Sequence, residues 1–161
     1  KEMPEFNSSL DHTGQNLVLK NYYHLGIAVD TPNGLTVPVV RDVDKKSIID
    51  LSADLMDLST RARDKKLKPA EMKGGTFTLS SLGGIGGTGF SPIVNLPEVA
   101  IMGVSRSAWK QVFDKTSEEF VTRFIMPFSV SYDHRVIDGA AAAIFTSRFA
   151  SVLSDLSHFK V

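Results

Sequence analysis

The sequence lacks cysteine: none of its 161 residues is one. A disulfide framework, a thiolate metal site and a cysteine nucleophile are therefore excluded within this chain. The absence also suits a reducing compartment.

An excess of charge of either sign is missing too, since 18 basic residues balance 18 acidic ones. The charge therefore predicts neither a nucleic acid nor an anionic membrane surface as a partner. No apolar run approaches the roughly 20 residues that span a membrane, and residues 1–10 do not resemble a signal peptide. Because the chain also opens without a methionine, we expect a fragment of a longer protein.

The composition that remains is that of an ordinary globular domain, with 42% hydrophobic and 22% charged residues. DTPNGL predicts a hairpin turn, and Pro38 in the returning strand favours an edge or a bulge. A helix is predicted from Ser47 to Lys65, with Ser47 and Asp50 as a capping box. One face of this helix carries apolar residues at helical spacing, namely Ile48, Leu51, Leu55, Leu58 and Ala62.

Strands outnumber helices in the rest of the chain. In GGTFTLSSL, the alternation places Phe77 and Leu79 on one face and Ser80 on the other, polar face. A long extended run then reaches from Phe120 to His134. Every second residue of this run, counted from Phe120, lies on one mostly apolar face that ends at His134. Pro127 is expected at an edge or bulge. A final amphipathic helix is predicted after it, with an apolar face of Ile144, Phe145, Phe149, Val152, Leu153 and Leu156. We therefore expect an α+β fold, a mixed sheet with helices packed on one face.

The glycine run GGIGGTG matches a dinucleotide-binding pattern at Gly84, Gly86 and Gly89. That function requires a helix to begin there and hold the pyrophosphate. Pro92 and Pro97 oppose such a helix. We favour a flexible or tightly turned loop close to a substrate.

The basic group from Arg61 to Lys68 could bind a phosphate. A solvated helix end is the stronger interpretation, because positive charges are favourable at the carboxyl end of a helix.

His134 and Asp138, four positions apart in SYDHRVIDGAAAAIF, allow three interpretations. A metal site needs further ligands, and His12, His24 and His158 are scattered, so it is disfavoured. Asp138 could simply be an N-cap and His134 a core histidine. Alternatively His134 is a general base, kept neutral by burial at the end of an apolar face. The cap and the base are compatible, and the residues alone do not decide between these interpretations.

SYDHRVIDGA resembles the D-H-R-x-x-D-G signature of the catalytic domain of 2-oxo acid dehydrogenase E2 components, the dihydrolipoamide acyltransferases. Chloramphenicol acetyltransferase and its relatives share the H-x-x-x-D-G core. The resemblance covers essentially the whole chain, and SSLGGIGGTGFSPIVNLPEVAIMGV is similar to the acetyl-transferring branch from pyruvate dehydrogenase complexes. It implies a chloramphenicol acetyltransferase-like fold. Residues 1–161 would be a C-terminal catalytic domain, truncated at its N-terminus.

The resemblance implies acetyl transfer between dihydrolipoyl-lysine and coenzyme A, by direct attack of a thiol and without a metal. It makes His134 the general base and Asp138 the carboxylate of the motif. Ser80 becomes the hydroxyl that stabilises the oxyanion, and Tyr132 lines the coenzyme A channel. Without the resemblance, we would interpret Ser80 as an ordinary serine at a strand end.

The resemblance also implies an assembly. Family members form trimers whose histidine and serine come from adjoining subunits, and the trimers build larger hollow E2 cores. The lipoyl group and the contacts with E1 and E3 belong to domains absent from this chain, and we expect an incomplete site with low activity. The compartment would be a bacterial cytoplasm or, as the alternative, a mitochondrial matrix.

Two other functions stay open. One is a stand-alone small-molecule acetyltransferase of the chloramphenicol type, disfavoured because Asp133 stands where that group usually has a second histidine. The other is a non-catalytic scaffold protein of the core, which would have no need of a buried base at His134.

Overall fold

The structure is a computed structural model that describes residues 1–155 and 157. Eleven strands and two α-helices lie within them, and short 3₁₀ turns join several of these elements. In chain order they are β1 (Ser8–Leu10), β2 (Leu17–Leu19), β3 (Leu25–Ile27), β4 (Val29–Thr31), β5 (Gly34–Thr36), β6 (Val39–Val40), α1 (Ile48–Arg63), β7 (Phe77–Ser81), β8 (Ala100–Val104), β9 (Ala108–Asp114), β10 (Glu119–Ile125), β11 (Phe128–Tyr132) and α2 (Gly139–Ser154).

The central element is a five-stranded sheet in the order β11-β8-β7-β3-β6. Strands β3, β7 and β8 are parallel, and the flanking strands β6 and β11 run antiparallel to them. The predicted mixed sheet is therefore confirmed. The remaining strands form three separate pairs, β1 with β2, β4 with β5, and β9 with β10.

The two faces of the sheet differ in chemistry. One face carries the core, in which α2 packs on the strands and buries residues including Phe77, Ala100, Met102, Ile137 and Ala142. On the opposite face, Thr78 of β7 and Thr76, just before the strand, are fully buried although they are polar. The alternation predicted for this strand is thus present, but its polar face is covered rather than open to water.

Helix α1 begins where the capping box predicts. The Ser47 hydroxyl accepts a hydrogen bond from the Asp50 backbone N–H, and the Asp50 carboxylate accepts one from the Ser47 backbone N–H. The helix lies against β4 and β6. Of its predicted apolar face, Leu58 and Ala62 are buried, whereas Ile48 and Leu55 are exposed.

Helix α2 begins at Gly139, directly after its N-cap Asp138, whose carboxylate accepts a hydrogen bond of 2.8 Å from the Ala141 backbone N–H. Its inner face includes Phe145 and Phe149. Ile144, predicted on that face, is exposed. Leu156 and His158 lie outside the described residues.

The sequence predicts that the extended run before α2 is one strand with one apolar face, and this prediction is wrong. The run is divided at Met126 and Pro127 into β10, which is largely exposed, and β11, whose side chains join the core. The segment between β8 and β9 has three residues, 105–107, whereas the segment opposite it, between β10 and β11, has only Met126 and Pro127. This mismatch forms a bulge. The expectation for Pro127 is thereby confirmed.

The DTPNGL hairpin is confirmed as well. It joins β4 to β5, and the Thr31 hydroxyl donates a 2.7 Å hydrogen bond to the Gly34 carbonyl across the turn. Pro38 interrupts the returning strand just before the edge strand β6. Neither described helix has the length and hydropathy needed to cross a membrane.

Candidate functional site

His134 lies in the turn between β11 and α2. The backbone N–H groups of Val136 and Ile137 both donate to the Asp133 carbonyl, which folds the turn tightly. Ile137 is buried in the core and anchors its far side. The turn therefore presents His134 at a fixed place on the surface.

Asp133 and Arg135 hold this turn from either side of the histidine. The Arg135 guanidinium donates 2.6 and 2.9 Å hydrogen bonds to the two oxygens of the Asp133 carboxylate. These hydrogen bonds lower the pKa of Asp133 and raise that of Arg135. The sequence did not single out this clamp, although a D-x-R spacing across a turn could have suggested it. It fixes the backbone from which the imidazole projects.

The His134 side chain itself is exposed, so the predicted burial of the ring is wrong for the single chain. Its ring lies 5.7 Å from the Tyr132 ring, centroid to centroid. Among the described residues no hydrogen bond joins His134 to Asp138, whose carboxylate caps α2. The two residues are thus close in sequence but are not a hydrogen-bonded pair.

Ser80 lies near the carboxyl end of β7, in register with Gly103 of β8. It is half-buried, and in the described part of the chain its hydroxyl has no hydrogen-bond partner. An available donor at a strand end is what an oxyanion contact requires.

The glycine run forms a loop and not the start of a helix, so the dinucleotide pattern is not realised. Gly86 and Gly87 have positive φ angles of 144° and 87°, a conformation that glycine adopts at little cost. Further along, the Phe90 ring covers Gly103, where a Cβ atom would come within 2.6 Å of the ring. The Ser129 hydroxyl donates to the Phe90 carbonyl at 2.5 Å. The loop is therefore fastened to the sheet next to Ser80.

Glu98 fastens the far end of the same loop. It is only 3% exposed, and its carboxylate accepts a 2.6 Å hydrogen bond from the Thr78 hydroxyl on β7. Burial raises the pKa of Glu98, against smaller opposing effects of the hydrogen bonds from Thr78 and Asn95 and of the charge on Lys20. The sequence analysis missed Glu98, because a single glutamate before an apolar strand carries no local signal of burial.

Within one chain, Ser80 and His134 lie at opposite ends of the sheet. Ser80 is in register with Gly103 of β8, which is in turn in register with Ser129 of β11. His134 follows Tyr132, which is three residues further along β11 and points to the other face. With about 3.3 Å per residue and 4.8 Å between strands, Ser80 and Tyr132 are roughly 14 Å apart at the backbone. A hydrogen-bonding reach of about 3 Å cannot join the two sites.

Two of the cavities among the described residues bear on the site. An apolar one of about 430 Å³ lies between Met3, Phe6, Phe77, Phe145 and their neighbours and includes none of the predicted site residues. The other cavity has a volume of about 330 Å³. It lies between the β1–β2 turn and the two residues on either side of His134, which are Asp133 and Arg135. The second cavity is therefore the one next to the candidate base.

The described residues contain no group of three or more histidine, aspartate or glutamate side chains placed to hold a metal ion. In the basic group, Arg61 makes ion pairs of 2.7 Å with both Asp57 and Glu71, and Lys66 makes one of 2.9 Å with Asp64. This pairing favours the helix-end interpretation over a phosphate site.

Residues 1–160 match the family model described as 2-oxoacid dehydrogenases acyltransferase (catalytic domain). The dihydrolipoyllysine-residue acetyltransferase component of the pyruvate dehydrogenase complex of Pseudomonas aeruginosa is 56% identical over 156 residues. That match covers 97% of this chain and 28% of the relative. The chain thus spans little more than a quarter of that relative's length.

Solved structures agree with this match. Azotobacter vinelandii dihydrolipoamide acetyltransferase superposes with a TM-score of 0.94 at 56% identity, covering 97% of this chain and 63% of that one. In that protein, roles in the catalytic mechanism were investigated for a serine, a histidine and an asparagine four positions after the histidine. The cubic core of the pyruvate dehydrogenase multienzyme complex superposes with a TM-score of 0.94 at 55% identity over the same shares of the two chains.

Chloramphenicol acetyltransferase, at 17% identity, superposes with a TM-score of 0.58 over 94% of this chain and 71% of that one. This likeness bears on the fold alone, and it confirms the fold expected from the sequence.

The buried Glu98 makes stability depend on pH in a direction that can be tested. Its raised pKa means that, between the unfolded-state pKa of about 4.3 and the higher pKa of the folded state, the folded chain keeps a proton that the unfolded chain has lost. The free energy of unfolding should therefore fall as pH rises through that window, and Glu98→Gln should remove this contribution. Urea unfolding at several pH values measures it.

Glu119→Gln on the exposed strand β10 is the matched control for that experiment and should follow the unsubstituted chain. Curves for all three proteins that run parallel with pH would contradict the burial of an ionisable Glu98.

Proposed function

Because the chain belongs to the 2-oxoacid dehydrogenase acyltransferase (catalytic domain) family, we propose that it forms the acetyl-transferring part of a pyruvate dehydrogenase complex. The reaction moves an acetyl group between dihydrolipoyl-lysine and coenzyme A. One observation carries the proposal. A chain matched to this family over residues 1–160 holds His134 in a clamped, accessible turn, with Asp138 four positions beyond it.

His134 is the general base of the proposed reaction. A free thiol has a pKa near 8.5 and histidine one near 6.5, so full proton transfer before attack is uphill by roughly two units. The imidazole therefore takes the thiol proton as the sulfur attacks the thioester carbonyl. This chain has no cysteine, so none of its own side chains can carry the acetyl group as a cysteine thioester. Acetyl groups pass directly from one bound thiol to the other.

Ser80 donates its hydroxyl hydrogen bond to the oxyanion of the tetrahedral intermediate. Its lack of a partner among the described residues supports this role, because the donor need not break another bond first. The fastened loop beside it keeps the strand end in place. Tyr132, whose ring lies next to His134, is the proposed contact for coenzyme A.

Asp138 acts through structure. Its carboxylate caps α2 and so fixes the start of the helix that follows the histidine turn. The asparagine at the same spacing in the Azotobacter vinelandii protein supports this role, since asparagine is an equally good N-cap.

The proposed site is formed by two copies of the chain. The separation of Ser80 from His134 within one chain supports this arrangement, as does the exposure of His134, which a second copy would cover. Copies joined histidine end to serine end make a head-to-tail interface. Such an interface forms a closed ring when the rotation between copies closes, and the ring proposed here is a homotrimer. Such trimers would assemble into a larger core, like the cubic core of the matching structure.

In the complete protein, other domains would carry the lipoyl group and bind the E1 and E3 components. The matching relatives are bacterial, which favours a bacterial cytoplasm as the compartment.

His134→Ala tests the base directly. The kcat for acetyl transfer from acetyl-coenzyme A to dihydrolipoamide should fall by on the order of 10²–10⁴, because the thiol loses its proton acceptor. The Kd for coenzyme A should hardly change. An unchanged melting temperature serves as the control for folding, and a loss below about tenfold would contradict the assignment.

Ser80→Ala should lower kcat by on the order of 10²–10³ with little change in KM, since the hydrogen bond forms fully only in the transition state. Ser81→Ala is the matched control, because Ser81 is the exposed neighbour on the same strand. A change confined to KM would argue against the oxyanion role.

A further inference from the structure

Ser80 is the last member of a polar row that runs along β7. Because side chains alternate along a strand, Thr78 and Thr76, just before the strand, lie on the same face as Ser80. Thr76 and Thr78 are fully buried, whereas Ser80 is half-buried near the end of the strand. The direction of the Ser80 hydroxyl therefore depends on how this row is held by the groups that cover it.

A carboxylate is packed against this row. Glu98 is buried, and its Oε2 atom accepts the hydrogen bond from the Thr78 hydroxyl. Two glycines leave room for this contact. A Cβ atom at Gly75 would lie 2.5 Å from the Glu98 carboxylate. A Cβ atom at Gly26 of β3 would lie 2.6 Å from the Thr78 hydroxyl oxygen. The hydroxyl is thus confined between β3 and the carboxylate.

Stability alone does not account for a carboxylate at this place. Burial raises the pKa of Glu98, which means that the charged form is disfavoured there. The charge on Lys20 opposes this shift, but it is the smallest of the opposing effects. Apolar residues of similar shape often replace a buried polar pair with little loss of stability. The carboxylate is therefore better explained by what it holds in place.

The loop that follows β7 depends on polar contacts for its position. It runs over residues 82–99 to the start of β8. Its large apolar side chains Ile85, Ile93 and Leu96 are exposed, so they do not anchor it. Glu98 lies at the end of this loop and contacts Thr78, two residues before Ser80. One hydrogen bond thus joins the end of the loop to the strand from which the loop starts.

We infer that Glu98 is a positioning residue for the proposed acetyl transfer and acts on Ser80 through Thr78. The carboxylate fixes Thr78, and the strand carries that placement about 7 Å further to Ser80. With the row fixed, the Ser80 hydroxyl points to one place when the oxyanion forms. This inference rests on the oxyanion role proposed above for Ser80.

A pair of apolar substitutions removes the hydrogen bond without leaving an unpaired polar group. The double variant Thr78→Val and Glu98→Leu loses donor and acceptor together and keeps their approximate shapes, which favours retention of the fold. Its kcat for acetyl transfer from acetyl-coenzyme A to dihydrolipoamide should fall by roughly 10- to 100-fold, because a displacement of about 1 Å has a cost of that order. The KM should hardly change.

Glu98→Gln is the conservative variant for comparison. Its amide oxygen can still accept the Thr78 hydrogen bond, although the carboxylate charge is gone. It should therefore recover kcat to within about threefold of the unsubstituted value. A Glu98→Gln chain as inactive as the double variant would contradict a role that depends on this hydrogen bond.

The same double substitution in a Ser80→Ala chain separates positioning from a general loosening of the fold. If Glu98 acts through Ser80, the two substitutions should lower the kcat of the Ser80→Ala chain by less than about twofold, because no hydroxyl is left to misplace. All chains are assayed below the lowest melting temperature of the set. If the double variant melts below the assay temperature, Thr78→Val alone enters the same comparison with the same expectations.

The inference is overturned if the fold loss in kcat is equal with and without the Ser80 hydroxyl, if the change is confined to KM, or if the folded double variant keeps its full kcat. The Ser80→Ala chain distinguishes these failures from that of the proposed function. An unchanged kcat for Ser80→Ala would refute the oxyanion role itself. A defective Ser80→Ala chain together with equal losses in both backgrounds would refute the positioning role alone.

Discussion

Strand direction is the constraint on which the proposed function of this molecule depends. Because β7 and β8 are parallel and β11 runs back against them, a serine near the carboxyl end of β7 and a histidine after β11 must lie at opposite ends of the sheet. The backbone of Ser80 is already roughly 14 Å from that of Tyr132, two residues before the histidine, and rotation of the two side chains does not bring them into hydrogen-bonding contact. The same pairing that builds the core therefore separates the two proposed catalytic groups, and the proposed reaction requires a second copy to bring them together.

Each end of the sheet is then held by its own set of interactions. The Asp133–Arg135 clamp and the Asp138 cap fix the histidine turn. The glycine loop beside Ser80 is fastened at its middle by Phe90 over Gly103 and at its end by Glu98 on Thr78. Rigid ends suit a site assembled from two chains, because positional errors in both copies would add.

Local signals in the sequence were enough for the mixed sheet, the capped α1 helix, the DTPNGL hairpin and the Asp138 cap. They were not enough for the burial of His134 or the continuity of the run before it. Parity along a strand says which residues share a face, but not whether another element covers that face. For the same reason Glu98 and the Asp133–Arg135 clamp were missed. Their roles arise from contacts made in three dimensions.

The most direct test of the divided site is a mixture of two inactive variants. His134→Ala chains and Ser80→Ala chains, refolded together in equal amounts, form interfaces of which about one in four joins an intact histidine to an intact serine. The account predicts about a quarter of the unsubstituted activity from this mixture, although each variant alone is nearly inactive. A mixture no more active than the average of the two variants would contradict it.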